Sequence, residues 1–154
     1  MFIEPDLYTQ IVKSLPIICV DLVIKISDSN HYLLVQRREE PLKGLKWPPG
    51  GRKRLNESIL EAAQRIAFTE LGAPLSTIVF DQNPIGLYHD VFEYSSFGKH
   101  RYETFSLLMQ GSISQADVPL IKTDQTSERV IIDNSIPKRM LENTYFFATE
   151  SLLK

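Results

Sequence analysis

Between Pro48 and Gly72 the chain reads PPGGRKRLNESILEAAQRIAFTELG, the residue types of a ligand-binding loop feeding one helix. On such a helix, turning about 100° per residue, Ile59, Ala63, Ile66 and Glu70 fall within roughly 60° of one another. Glu57, Glu61 and Arg65 point elsewhere, so Glu70 is an acid placed on the apolar face. An ionised carboxylate there is costly unless a cation meets it. A hard divalent ion such as Mg²⁺ takes oxygen ligands of this kind while keeping waters and diphosphate oxygens in its shell. Gly50 and Gly51 suit a backbone that approaches a phosphate or a metal closely. Arg52 follows them directly, and Arg37 ends an upstream β-rich run. Two arginines so placed would neutralise a diphosphate and the charge growing on a leaving group. Asp21 sits in a run, Ile17 to Ile26, that is apolar on both faces, which makes it an acid on a buried strand. Each residue also has a plainer role: a salt-bridged glutamate, a tight turn, solvated arginines, or an aspartate satisfied by backbone donors.

The elements that must position these groups follow from pattern. Residues from about Glu4 to Ser14 read as a short amphipathic helix stopped by Pro16. Ile17–Ile26 and Tyr32–Gln36 read as a hairpin across the turn residues Ser27 to Asn30. Glu39 to Lys46 is a loop leading to Trp47 and the rigid Pro48-Pro49. The next helix starts after Asn56 as N-cap, stops at Gly72, and carries Glu61 and Arg65 at ion-pair spacing. Further β-like runs are expected near Thr77–Phe80, Ile85–Tyr94, Thr104–Met109 and Arg129–Ile132, with one or two helices from Ile136 to Leu153. That order predicts an α/β fold, a mixed sheet flanked by helices.

With 154 residues, 43% of them hydrophobic, the chain has the length and apolar content of a single domain, residues 1–154. Its formal net charge of −2 gives no general attraction to nucleic acid or an anionic membrane. A lone cysteine, Cys19, cannot form an intramolecular disulfide. The amino terminus lacks a basic segment followed by an apolar core, and the apolar run from Leu15 to Ile26 is interrupted by Asp21 and Lys25. A cytoplasmic protein is the economical expectation.

Gly51, Glu57, Arg65, Glu70 and Gly72 together resemble the Nudix box, G-x5-E-x7-R-E-U-x-E-E-x-G-U with U a bulky apolar residue. The resemblance implies a Nudix α/β/α sandwich. Ile66 and Thr69 stand where that pattern has glutamates, and Ala73 fills the last U position. Retention of the final glutamate alone resembles the branch of GDP-mannose mannosyl hydrolases, as do Ser14 and Pro16 before the strand with Asp21, then Arg37 and Gly50-Gly51-Arg52. That branch cuts the C1–O bond of a nucleotide sugar and releases GDP and free sugar. The resemblance implies metal ligation by the Gly50 carbonyl, Glu70 and Gln125, with Mg²⁺, or Mn²⁺ in its place, as cofactor. It implies substrate contacts from Asp21, Arg37 and Arg52, catalytic roles for Arg37, Arg52 and Glu70, bracing by Glu57, Glu61 and Arg65, and a homodimer.

One departure matters for mechanism. The branch has a histidine after the metal-binding glutamine as general base, whereas Gln125 is followed by Thr126, which cannot accept a proton near neutral pH. Asp124, Glu128 or His89 would have to substitute. Among the aromatics Tyr88, Phe92, Tyr94, Phe97, Tyr102 and Phe105, some could stack on a base or sugar, most being core or interface. The expected function is Mg²⁺-dependent hydrolysis of a nucleotide sugar. The alternatives are a pyrophosphohydrolase, which would need another ligand such as Glu103 or Glu128, and a nucleotide-sugar-binding module with little catalysis.

Overall fold

The computed structural model describes residues 3–95, 98–123 and 127–147. In chain order the elements are α1 (Pro5–Ser14), β1 (Ile17–Ile26), β2 (Tyr32–Arg37), β3 (Lys46–Trp47), β4 (Gly50–Arg52), α2 (Ile59–Leu71), β5 (Ile78–Phe80), β6 (Gly86–Ser95), β7 (Gly98–Ile113), a 3-10 turn (Val118–Leu120), β8 (Ser127–Asp133), α3 (Lys138–Glu142) and β9 (Thr144–Phe146). The strands form one mixed sheet in the order β3-β2-β1-β7-β6-β9, with β4 on β1, β5 on β7 and β8 on β2. β1 and β7 run parallel from Ile17↔Thr104 to Ile26↔Ile113, and the other pairs are antiparallel.

Strand alternation sorts the side chains into two layers. Val20, Leu22 and Ile24 of β1, with Leu33 and Val35 of β2, pack against Ala62, Ala63, Ile66, Ala67 and Leu71 of α2. On the opposite face Val23, Tyr88 and Leu108 meet Trp47 and Met140, the latter from α3. Ile17, Phe92 and Tyr102 on that face are covered by Val12, Tyr8 and Ile11 of α1. The result is the expected α/β/α sandwich, with α2 on one face and α1 and α3 on the other. No helix among the described residues is long and apolar enough to cross a membrane.

The structure corrects several local expectations. Ser58 caps α2, not Asn56: the Ser58 hydroxyl accepts from the Glu61 N–H at 3.1 Å, and Glu61 Oε2 accepts from the Ser58 N–H at 2.7 Å. Asn56 instead occupies a left-handed turn position, φ +61°, which asparagine tolerates well. Glu61 is thereby committed to the cap, and Arg65 pairs with Glu57, not with its i−4 neighbour. Gly72 ends the helix at φ +57°, as expected.

The β1–β2 hairpin is paired only at Ile24↔Leu33 and Lys25↔Tyr32, because β4 takes over β1 and β3 takes over β2 beyond that point. Among the described residues the tail holds the short helix α3, followed by β9 on the edge of β6. Thr144, Tyr145 and Phe146 are β-branched or aromatic and gain a strand partner there, which overrides helix continuation. The remainder of the expected tail helix, 148–153, lies outside the described residues, as do Phe97, Asp124, Gln125 and Thr126.

Candidate functional site

The short strand β4 organises the site. It pairs with β1 through Asp21↔Gly50, Val20↔Gly51 and Cys19↔Arg52. Alternation turns Gly51 toward α2 and turns Gly50 and Arg52 toward the face of Asp21 and Cys19. The same alternation decides the backbone. Pro49 O accepts from the Leu22 N–H at 2.7 Å, and the Lys53 N–H donates to Ile18 O at 3.0 Å, so both point at β1. The carbonyls of Gly50 and Arg52 therefore point away from β1. Arg52 O accepts from Arg65 Nη2 at 2.9 Å, while Gly50 O faces an edge on which the described residues place no strand.

Gly50 is a steric necessity, and Gly51 sits in a tight space. A Cβ on Gly50 would fall 1.8 Å from Asp21 Oδ1 and 2.8 Å from its Cγ. One on Gly51 would lie 3.3 Å from Glu70 Oε1 and 3.5 Å from the Ile66 side chain. Glu70 is half-buried on the inner side of α2, as its helical spacing required, with its carboxylate against the β4 backbone. Glu70 thus meets the β4 backbone from α2 at Gly51, one residue from the Gly50 carbonyl, and Asp21 adjoins Gly50 from the other face.

Asp21 is buried, and burial pushes its carboxyl from 3.8 up to about 6; the Ser106 hydroxyl and the Arg37 charge oppose the rise without cancelling it. Burial also pushes the Cys19 thiol up to about 12, so it is no nucleophile at neutral pH. Arg37 reaches this pocket from a bulge between Gln36 and Arg37, its Nε donating to Pro41 O at 2.8 Å. Arg52 is exposed on the same side, with its guanidinium carbon 4.4 Å from the centre of the Tyr8 ring.

Beneath the loop, Glu57 accepts two bonds from Arg65, Nη2 to Oε1 at 2.7 Å and Nε to Oε2 at 2.9 Å, and also accepts from the Arg54 N–H. The Arg65 hydrogen bond holds the Glu57 carboxyl down at about 2. Expected to brace the loop, this pair connects α2 to the Arg52 carbonyl, while Glu61 serves the cap.

The donor set tests the metal expectation. Glu70, Asp21 and the Gly50 carbonyl offer only oxygen, which suits Mg²⁺ or Mn²⁺. Among the described residues no group of three or more His, Cys, Asp or Glu could hold a metal. The arrangement therefore fits a hard cation that draws most of its shell from water and diphosphate oxygens.

The remaining candidates are dispersed. His89 stacks on Phe105 at 4.6 Å, and its Nε2 is 3.7 Å from Glu103. The row Ile18–Phe105–His89 lies on the face opposite Asp21 and reaches His89 three strands from β4, about 14 Å away. Glu103 is four residues along β7 from Leu107, the residue level with Val20 and Gly51, or about 13 Å. Neither joins the site. Glu128 is the extra residue of the bulge between Gln36↔Arg129 and Arg37↔Ser127, exposed at the end of the sheet that carries Arg37. Sequence reasoning missed Ser106 and Tyr8. The alternating Tyr102, Thr104 and Ser106 on a long strand was a signal for the first, since polar residues on a buried face need partners.

A model of the NUDIX domain matches residues 18–129 of this chain. The low-salt glycan biosynthesis protein Agl8 of Haloferax volcanii is 36% identical over 74 residues, covering 48% of this chain and 46% of that protein. The match thus spans about half the length of this curated relative. Among solved structures the chain is similar to the MutT protein of Methanosarcina mazei Go1, with 21% identity, a TM-score of 0.57 and 77% of each chain covered. It is also similar to a bifunctional NMN adenylyltransferase/ADP ribose pyrophosphatase of Francisella tularensis complexed with AMP and a Mn ion. That likeness has 22% identity and a TM-score of 0.56, over 89% of this chain and 39% of the other.

Proposed function

The chain belongs to the NUDIX family, and from that premise we propose that it is a divalent-metal-dependent hydrolase of nucleotide sugars, acting like a GDP-mannose mannosyl hydrolase. The observation that carries this reading is the reduced acidic set at β4. Of the positions where the box has glutamates, Ile66 is buried in the core against Val20 and Leu22, Thr69 is exposed, and Glu70 alone turns to the Gly50-Gly51 backbone. With one box carboxylate, the protein is equipped to hold a single cation and the diphosphate as one leaving group. The glycan biosynthesis named for the Haloferax relative accords with a nucleotide-sugar substrate.

In this reading Gly50 O and Glu70, with Gln125, would hold Mg²⁺, which would supply positive charge against the diphosphate oxygens. Arg37 and Arg52 bind those oxygens and stabilise the charge that accumulates as the C1–O bond breaks. The electron pair of that bond leaves with the nucleoside diphosphate, and a water oxygen joins C1. Asp21, half-protonated near pH 6 and held by Ser106, orients a sugar hydroxyl. Glu128, at the bulge beside Arg37, takes the proton of the attacking water in place of the histidine absent after Gln125. The reading assigns residues 1–154 to one domain, a cytoplasmic location and a homodimer.

Product analysis by anion exchange with GDP-mannose, other nucleotide sugars and excess Mg²⁺ tests it. GDP plus mannose is the expected outcome, lost in Glu70→Gln. GMP plus mannose 1-phosphate would move the cut to the pyrophosphate. Calorimetric binding without turnover would make the protein a binding module.

A further inference from the structure

Arg52 is held from two directions. Its carbonyl is fixed by Arg65, itself clamped by Glu57, which anchors the backbone of the residue to α2. Its side chain is held by a different element: the guanidinium lies over the ring of Tyr8, 4.4 Å from the centroid. Tyr8 belongs to α1, which packs through Ile11 and Val12 onto Ile17, Phe92 and Tyr102. α1 lies before the loop and helix that carry the box residues, and this ring brings it to the site.

The chemistry of that contact is selective. A carboxylate partner would take the guanidinium N–H groups and neutralise the charge that a diphosphate needs. An aromatic face attracts the cation through its quadrupole and leaves the N–H donors, which lie in the guanidinium plane, to an incoming anion. Burial raises the Tyr8 phenol above its ordinary value, so the residue stays neutral beside Arg52. An exposed arginine on three-residue β4 would otherwise sample many rotamers and lose entropy on binding.

We propose that Tyr8 is a positioning residue that presents the Arg52 guanidinium, face on its ring and N–H edge outward, to the diphosphate of the substrate. This rests on the substrate reading above, and the test separates the two. In metal-free protein without ligand, ring currents from Tyr8 shift the Arg52 Hδ and Hε resonances upfield. Tyr8→Phe keeps that shift and Tyr8→Leu abolishes it. In steady-state assays with the nucleotide sugar that the wild type hydrolyses, Tyr8→Leu lowers kcat/KM about three- to tenfold, with the larger part in a raised KM because Arg52 must then be ordered on binding. Tyr8→Phe restores most of the rate, and in an Arg52→Gln background Tyr8→Leu has no further effect. Arg52 resonances unmoved by Tyr8→Leu overturn the proposal. So does an equal loss of rate in Tyr8→Phe, or an undiminished effect of Tyr8→Leu without Arg52. Wild-type protein that hydrolyses no nucleotide sugar overturns the substrate reading instead, and the resonances then decide the position of Arg52 by themselves.

Discussion

Replacing Asp21 with asparagine is expected to make the metal-free protein more stable at pH 8. The carboxyl lies in the sheet interior, and desolvation outweighs the Ser106 hydroxyl and the Arg37 charge, leaving it at about 6 instead of 3.8. That displacement corresponds to about 3 kcal/mol of destabilisation whenever the group is ionised. The sign follows from proton binding. A raised folded-state value means that the folded form holds its proton more tightly. The penalty is therefore full above about pH 6, shrinks as pH falls from 6 to 3.8, and is absent below. Asparagine has the same shape and keeps an acceptor for Ser106, but its amide still pays to be buried. A net gain of about 2 kcal/mol is the reasonable expectation, or a melting temperature higher by about 4–8 °C. Urea titrations in EDTA, followed by the fluorescence of the buried Trp47, measure it at pH 8, 6 and 4. The gap between variant and wild type should close across that range. A gap independent of pH, or a variant less stable at pH 8, would refute the reasoning and mean that Arg37 fully compensates the anion. An acid retained at such a cost is expected where function requires it, so the stabilised variant should lose hydrolytic activity.

Gly50→Ala forces its methyl into the space of the Asp21 carboxylate, and thermal denaturation should register a loss of about 1–3 kcal/mol, partly relieved by adding Asp21→Ser. Glu57→Gln breaks a charged, bidentate pair whose carboxylate sits at about 2. A depressed value stabilises above the unfolded 4.5 and is lost as pH falls toward 2, so the variant's deficit in urea unfolding at pH 7 should narrow below pH 4.5. Arg139→Met removes the partner of buried Asp90, 2.6 Å away, leaving that acid to the Tyr88 hydroxyl and the Val91 N–H. It should cost about 1–3 kcal/mol and speed amide exchange in α3 and β9, read by mass spectrometry.

The spacing from Gly51 to Gly72 was enough to fix the inward direction of Glu70, because helical geometry is local and needs no partner to be read. The buried character of β1 and the stop at Gly72 were legible for the same reason. Local reasoning failed where two neighbours competed for one partner. Glu57 and Glu61 both lie within reach of Arg65, and the Ser58 cap drew Glu61 away. It failed again at β3, β4 and β9, which are too short to show a period and exist because longer strands offer an edge.

The sequence by itself determined the loop and helix, the single acid on the helix's inner side, the glycine pair, and the family to which those residues point. Only the tertiary structure decided that Asp21 stands against Gly50, that the Gly50 carbonyl turns away from β1, and that His89 lies three strands off and Glu103 four residues along β7. It alone brought Tyr8 of α1 under Arg52. The reason is the range of the forces involved. Helix faces and caps are set within one or two turns, whereas strand register and layer order are set by hydrogen bonds and burial between segments far apart in the chain.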